Sequence, residues 1–525
     1  MALTKMAFSP AIGLRDTTAY PTLPANETAA REQIQGRMDE IQDFLNDTMT
    51  VEVDAHLADN LSQALNVLYP PVPVVQAKID GSDTGAILQA IVDYAAANGY
   101  NTLFCPAGTY IHEVKVSYPS NMTVIGVPEA TIFKAKNGSE SNPIVIEVNG
   151  KTNVKFKNIT IEGNIDNITN FNNYCTIYQS SKVKFEFCKF QNTRGVAVIL
   201  STDISNSGLR FCDFNNCGTL YLTTSVLTDR KQAIAFTSGT LENNRGNFVD
   251  FCTFDTVGLD CISAGSQYNF RALGNIIKKN YAGSIYVSGS RNVKISLNEV
   301  ENEVGGNGID INACKGVSGV GNICRKCGAA GMLIADSSDV TLLGNVCKNN
   351  HQGTSEHQGG ITIHSATAGV VMLNINISGN ICTDDQDVKT QDYGIHWLAG
   401  SGTLQNIHID RSNQLNGNKS VDISGNLSYD GAVNIALGAG ESVTVCKSDM
   451  YGILDVIRYN DSVVGRLYLR SNQSPYILND YTGSKFFNTD TGTEIAVYYD
   501  SGTSSIILKN KTAVSRNFKY ILSMM

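Results

Sequence analysis

The chain has 525 residues with 47 glycines and only 17% charged side chains, too long for one compact core of ordinary size and suited in composition to many short strands joined by tight turns. Its 40 basic and 49 acidic residues give a net charge of -9, which argues against electrostatic capture of nucleic acid or of an anionic membrane. No stretch reaches the roughly 18 consecutive apolar residues of a membrane span, and the opening MALTKMAFSPAIGLRDTT lacks the basic region and apolar run of a secretory leader, so no membrane insertion is expected and synthesis in a cytoplasm is.

In chain order, the first element follows Tyr20, Pro21 and Pro24. There Ile34, Met38, Ile41 and Leu45 stand at spacings of four, three and four, a short coiled-coil seam or else an amphipathic helix packed on its own chain. Leu57, Leu61, Leu65 and Leu68 are placed to extend that bundle before the Pro70-Pro71 linker. From Asp83, the stretch DTGAILQAIVDYAAANGYNTLFCPAGTYI predicts a capped helix with Ile87, Ile91 and Tyr94 on one face, then a strand and a turn. Short alternating runs follow, such as NVKFKNITIEG from Asn153, KVKFEFCKF from Lys182, NVKISLNEV from Asn292 and DVTLLGNVC from Asp339; period two with β-branched and aromatic residues predicts strands.

These runs repeat. Asn275, Asn298, Asn322 and Asn345 are 23, 24 and 23 residues apart, all but Asn298 follow a glycine, and Gly379-Asn380 continue the series after an insertion. Two residues beyond each stand Ile277, Val300, Cys324, Cys347 and Cys382, a column that makes sense if successive coils stack and bury that position. The thirteen cysteines follow this repeat rather than a disulfide framework, so free buried thiols are expected. Asparagines at the preceding turn are expected to tolerate left-handed backbone and to hydrogen-bond their neighbours above and below. Coils of this length predict a right-handed parallel β-helix with roughly a dozen turns rising about 4.8 Å each. Past about Gly440 the repeat ends, and GRLYLRSNQSPYILND, GTEIAVYYDSG and SSIILKNKTAV predict the hairpins of a C-terminal β-sandwich-like domain.

The helix and strand from Asp83, with SNMTVIGVPEATIFKA from Ser120, resemble the N-terminal cap of pectate-lyase-like β-helices, above all those of phage tail spikes and depolymerases. The opening is similar in arrangement to virion-attachment segments of such spikes. The resemblance implies an all-β chain in three parts: residues 1–72 for helical attachment and trimerisation, 73–440 for the capped β-helix, and 441–525 for a β-rich domain that trimerises or binds sugar. It further implies a homotrimer on a phage tail, a tail or baseplate protein as partner of the N-terminal region, and host surface polysaccharide as ligand.

Chemistry is expected on one sheet. Seven strands open on alanine or glycine, at Ala233, Gly258, Gly283, Gly308, Gly331, Gly360 and Gly394. With Leu259, Ile285, Ile309, Ile361 and Ile395 inward, alternation sends Asp260, Tyr286, Asp310, Thr362 and His396 outward. The distance from the column residue to the opening glycine is 8, 8, 10 and 9 residues from Asp250, Asn275, Asn298 and Asn322, but 15 and 14 from Asn345 and Asn380. With the insertion from Leu220, these longer loops would wall a groove wide enough for several sugar units. Hydrolysis of a glycosidic bond needs one carboxylic acid and one carboxylate, and Asp260 and Asp310, two coils apart, are the best pair. GLDCISAG is similar to the Asp-Cys-Ile segment of polygalacturonase-like hydrolases, although Leu259 stands where that motif has a second aspartate and no Gly-His-Gly follows. Asp336, Glu356 and His364 join Tyr286, Thr362 and His396 as candidate sugar contacts. No metal and no cofactor is expected. Two functions stay open: a spike that cuts its glycan, by carboxylate-based hydrolysis or else by elimination, or a receptor-binding spike that holds the glycan uncut.

Overall fold

The computed structural model describes residues 64–424, apart from short segments at 72–73, 139–144, 169–172, 220–230, 302–304 and 411, together with the strands and a few neighbouring residues between 433 and 524. The expected coiled-coil seam at 34–45 and the insertion at 220–230 lie outside the described residues. Within them, three long sheets of 13, 12 and 11 strands run side by side, and each strand between the ends of its sheet pairs parallel with the equivalent strand one coil earlier and one coil later. This is the right-handed parallel β-helix that the repeat predicts.

At its start, helix Gly85–Ala97 buries Leu88, Ile91, Val92 and Ala95 against the first coil, with Ile87 and Tyr94 at the margin. Asp83 caps it, its Oδ1 accepting from the backbone N–H of Gly85 at 3.1 Å and of Glu113 at 3.0 Å. Leu65 does not extend a helical bundle. Leu65–Asn66 is a strand paired with Leu103–Phe104, so the first rung of the solenoid claims it.

Inside the coils, like residues lie over like. Phe190, Phe214 and Phe254 stack with ring centroids 4.7 and 4.8 Å apart, and Val300, Cys324, Cys347 and Cys382 follow one another in register. None of the twelve described cysteines is in a disulfide, and all are buried. The asparagine column is a hydrogen-bonded ladder: Asn275 Nδ2 donates to Asn298 Oδ1, and so on through Asn322, Asn345, Asn380 and Asn413, each at 2.9 Å. Asparagine does not supply the left-handed residue, as the sequence suggested. The residue before it does, namely Gly274, Gly321, Gly344 and Gly379, with Leu297 held at φ 56 in the coil that lacks the glycine. The asparagines can therefore turn inward, where they are almost fully buried and meet polar backbone that the strands leave over.

Beyond Val421–Ile423 the coils give way to two mainly antiparallel sheets. One has five strands, Val433–Leu437, Arg516–Met524, Gly452–Arg458, Val463–Arg470 and Gln473–Asp480; the other has four, Ser442–Lys447, Ser505–Asn510, Ile495–Asp500 and Phe486–Phe487.

Close stacking leaves places where no side chain fits. A Cβ on Gly258 would lie 1.7 Å from the carbonyl oxygen of Gly218 in the coil before. We expect Gly258→Ala to cost at least about 1–3 kcal/mol, since backbone rather than a side chain must yield. The chain has one tryptophan, Trp397, and it sits in a coil, so its emission through a denaturant titration reads this directly. An unchanged midpoint would contradict the packing described.

Candidate functional site

All seven glycine- or alanine-opened strands fall in the twelve-stranded sheet. Its inward row is Ile262, Ile285, Ile309, Met332, Ile361 and Ile395, and its outward row is Ser263, Tyr286, Asp310, Leu333, Thr362 and His396. Tyr286, Asp310, Thr362 and His396 thus take their expected register. Asp260 does not. It precedes strand Ile262–Gly265, and half-buried Leu259 is not the inward residue. The column residue of that coil is Cys252, whose N–H donates to Asn275 Oδ1, and not Asp250, which lies two residues earlier. Asp250 instead forms a buried clamp with Arg210 and Arg271. Measured from the true column, Cys252 to Ile262 and Asn275 to Ile285 are both ten residues, so it is the opening glycine that shifts along the turn.

The register error does not separate the two acids. Asp260 lies over Gly283, which in turn lies over Asn307. Gly283 is a notch, since a Cβ there would be 3.1 Å from Asp260 Oδ1, and its backbone N–H favours the charged form of the Asp260 carboxylate. On the other side of the notch Asn307 Nδ2 donates to Asp310 Oδ2 at 3.1 Å, while Asn307 Oδ1 accepts from the Ala330 N–H at 3.2 Å. Asp310 Oδ1 is out of contact with solvent and has no hydrogen-bond partner among the described residues. Leu259, Asp260, Tyr281, Tyr286, Asn307 and Asp310 line one open cavity of about 350 Å³.

Burial pushes the Asp260 carboxyl up to about 7, with the charge of Asp310 adding to the rise and the Gly283 N–H opposing it. Burial pushes Asp310 up to about 6, against the Asn307 amide. Two acids in one cavity with separated, raised pKa values can hold a single proton near neutral pH, the condition for one to donate while the other accepts. Asn307 and Tyr281 belong to this site and were not singled out from the sequence, and Gly283 was read only as opening a strand. They lie in the turn, where alternation says nothing about direction.

The other candidates gather two coils further on or serve the fold. Thr362 and His396 sit on the outer face of the sheet yet are buried, because the loops after Asn345 and Asn380 close over them. Gln352 and Gln386 both donate to Thr390 Oγ1 at 2.8 Å, and Asp384 Oδ2 accepts from the Thr390 and Gln391 N–H groups at 2.7 and 2.8 Å, which zips the two loops together. Thr362 Oγ1 accepts from the Gly359 N–H, and His396 stacks on Tyr393 and accepts from the Gln358 N–H. Burial holds His396 down at about 4, so it stays neutral. Asp336 fastens the next turn, accepting from the Thr367 N–H and hydroxyl at 3.1 and 2.6 Å. Glu356 is exposed on the covering loop, and His357 Nε2 lies 3.3 Å from Nδ1 of half-buried His364. The carboxylate pair and the histidine group are separate places on one face.

Among the described residues no helix is long and apolar enough to cross a membrane. No curated protein matches the chain in sequence. Among solved structures, the chain is similar to the A-module of a mannuronan C-5 epimerase from Azotobacter vinelandii, at 17% identity over 66% of this chain and 98% of that one with a TM-score of 0.44. The surface adhesin PfbA of Streptococcus pneumoniae aligns at 16% identity over 67% and 91% with a TM-score of 0.49, and the Dettilon tailspike protein at 11% over 89% and 95% with a TM-score of 0.47. Residues 144–315 match the family model described as right handed beta helix region. With its stacked coils and inward ladders, the chain is a right-handed parallel β-helix protein.

Proposed function

We propose that this protein is a spike of the phage tail type that recognises a bacterial surface polysaccharide and cuts it by carboxylate-based hydrolysis. The observation that carries the reading is the pair Asp260 and Asp310 in one open cavity on the outer face of the coils, each raised in pKa by burial. Asp260, with the higher pKa, is the acid that protonates the leaving oxygen. Asp310, which ionises first, is the base that activates water. Asp260 lies two coils, about 9.6 Å along the axis, from Asn307 rather than from Asp310, so the two backbones stand further apart than that. Side chains reaching into one cavity from such a distance leave room for a water between the carboxyls, and inversion is the expected stereochemistry. Tyr281 and Tyr286 offer rings against which a sugar can lie. Residues 1–72 would attach to a tail or baseplate protein and bring three copies together.

The test is to incubate the full chain with surface polysaccharide from susceptible cells and follow chain length. Shortening supports the proposal; intact chains with retained binding would select a spike that holds its glycan uncut.

The pH profile follows from the same pair. Below about 6 both acids are protonated and no base remains; above about 7 both are ionised and no acid remains. We expect kcat/KM to be bell-shaped with its maximum between those limits, the two limbs belonging to the pair rather than to either residue alone. A rate that keeps rising past pH 9 would point to elimination by a basic group instead.

A further inference from the structure

The covering loop and the strand beneath it bring three side chains together. Glu356 and His357 lie on the loop after Asn345, and His364 ends strand Gly359–His364. One carboxylate oxygen and one nitrogen from each imidazole lie within 4.8 Å of one another.

The closest pair is His357 Nε2 and His364 Nδ1, 3.3 Å apart with the rings at 60° to each other. That separation is within hydrogen-bond reach, with one imidazole as donor and the other as acceptor, and it is also the spacing of two ligands on one ion. Two nitrogens each about 2.0–2.1 Å from one tetrahedral ion stand about 3.3–3.4 Å apart. The imidazoles are thus spaced as they would be on a shared metal, and exposed Glu356 has only its own side chain to move to complete a third ligand.

The surroundings hold this arrangement. The His357 N–H donates to Ser355 Oγ at 3.1 Å, and the Ser355 carbonyl lies 2.9 Å from His351 Nε2, so the loop is fixed on both sides of Glu356. His396 is nearby, but its Nδ1 accepts from the Gln358 N–H and the residue is buried, which leaves it outside the ligand set. His364 shares the outer face with Asp310, since Asn312, Ala335 and His364 lie in register on successive coils.

We propose that Glu356, His357 and His364 form a binding site for a divalent transition ion of the zinc type. The ion ties the covering loop to the sheet and keeps a fourth position open to solvent or to an oxygen of a bound ligand. Two imidazoles and a carboxylate suit zinc, cobalt or nickel rather than calcium or magnesium, which prefer oxygen throughout. This site is independent of the carboxylate pair and of whether the protein cuts anything.

The test uses the full chain, stripped with a chelator and titrated with cobalt(II) in place of zinc. We expect one equivalent per chain with intense visible bands of a four-coordinate ion and no thiolate charge-transfer band. His357→Ala and His364→Ala should each weaken binding by at least about 100-fold, because losing even an outer-shell partner costs 10–100-fold. His408→Ala, on the thirteen-stranded sheet rather than the twelve-stranded one, should leave it unchanged. Zinc should raise the unfolding midpoint of the parent chain and not that of the two variants. Glu356→Gln, an exposed change that leaves the fold alone, should also weaken binding. No stoichiometric binding, a thiolate band, or equal affinity in His364→Ala would each overturn the site.

Discussion

Asp260→Asn and Asp310→Asn should each lower the rate of glycan cleavage by about 100- to 10,000-fold, the range expected when one partner of an acid–base pair is removed. Binding should persist, because asparagine keeps the shape and the polar surface of the cavity. The two changes should not be additive, since either alone disables the same proton transfer. They should also differ in pH dependence. Asp310→Asn removes the low-pH limb and, by deleting the charge that helps to raise Asp260, shifts the remaining limb downward. Asp260→Asn removes the high-pH limb.

Stability separates this from a structural effect. Both carboxyls have folded-state pKa values above the ordinary carboxylate value of 3.8, so the folded chain holds more protons than the unfolded one between about 4 and 7. Their contribution to stability therefore falls as pH rises through that window. Replacing either with a neutral amide relieves this at pH 8, and the variants should be at least as stable as the parent. A variant that loses activity and stability together would mark the aspartate as a part of the scaffold.

The largest effect on folding is expected from Asn322→Ala. Asn322 Oδ1 accepts from both the N–H and Nδ2 of Asn298, at 3.1 and 2.9 Å, and its Nδ2 donates to the Ile295 carbonyl at 2.8 Å and to Asn345 Oδ1 at 2.9 Å. Four buried hydrogen bonds, each at a net 0.5–1.5 kcal/mol, come to about 4 kcal/mol, with the Asn298 N–H left without a partner. Gln405, exposed on an outer strand, is the control, and Gln405→Ala should change stability by no more than about 0.5 kcal/mol. Denaturant titrations read by Trp397 emission compare the two, and equal midpoints would mean that the ladder is not a source of stability.

The ladder also marks how far the sequence could be read. From Asn275 to Asn345 it was legible because the coils that stack these residues are of almost constant length, and Asn380, 35 residues further on, because it follows a glycine as most of the others do. Asn413 was not, since it stands another 33 residues on and follows Ser412 rather than a glycine. Asp250 was taken for a column residue because an acid can stand where a turn asparagine does, and only the hydrogen bond from the Cys252 N–H to Asn275 reveals the true column. The outward direction of Asp310 and Tyr286 followed from alternation within a strand. The burial of Thr362 and His396 did not, because it depends on loops from two different coils closing over them.

What the sequence by itself determined is the solenoid: the repeat length, the buried columns and the sheet that carries Asp310. A periodic pattern fixes these because each coil can bury its apolar face only against a copy of itself. The tertiary structure decided which groups meet. The notch at Gly283, the Asn307 amide beneath Asp310 and the approach of His357 to His364 all lie in turns and loops, where direction is set by contacts between coils and by no period along the chain.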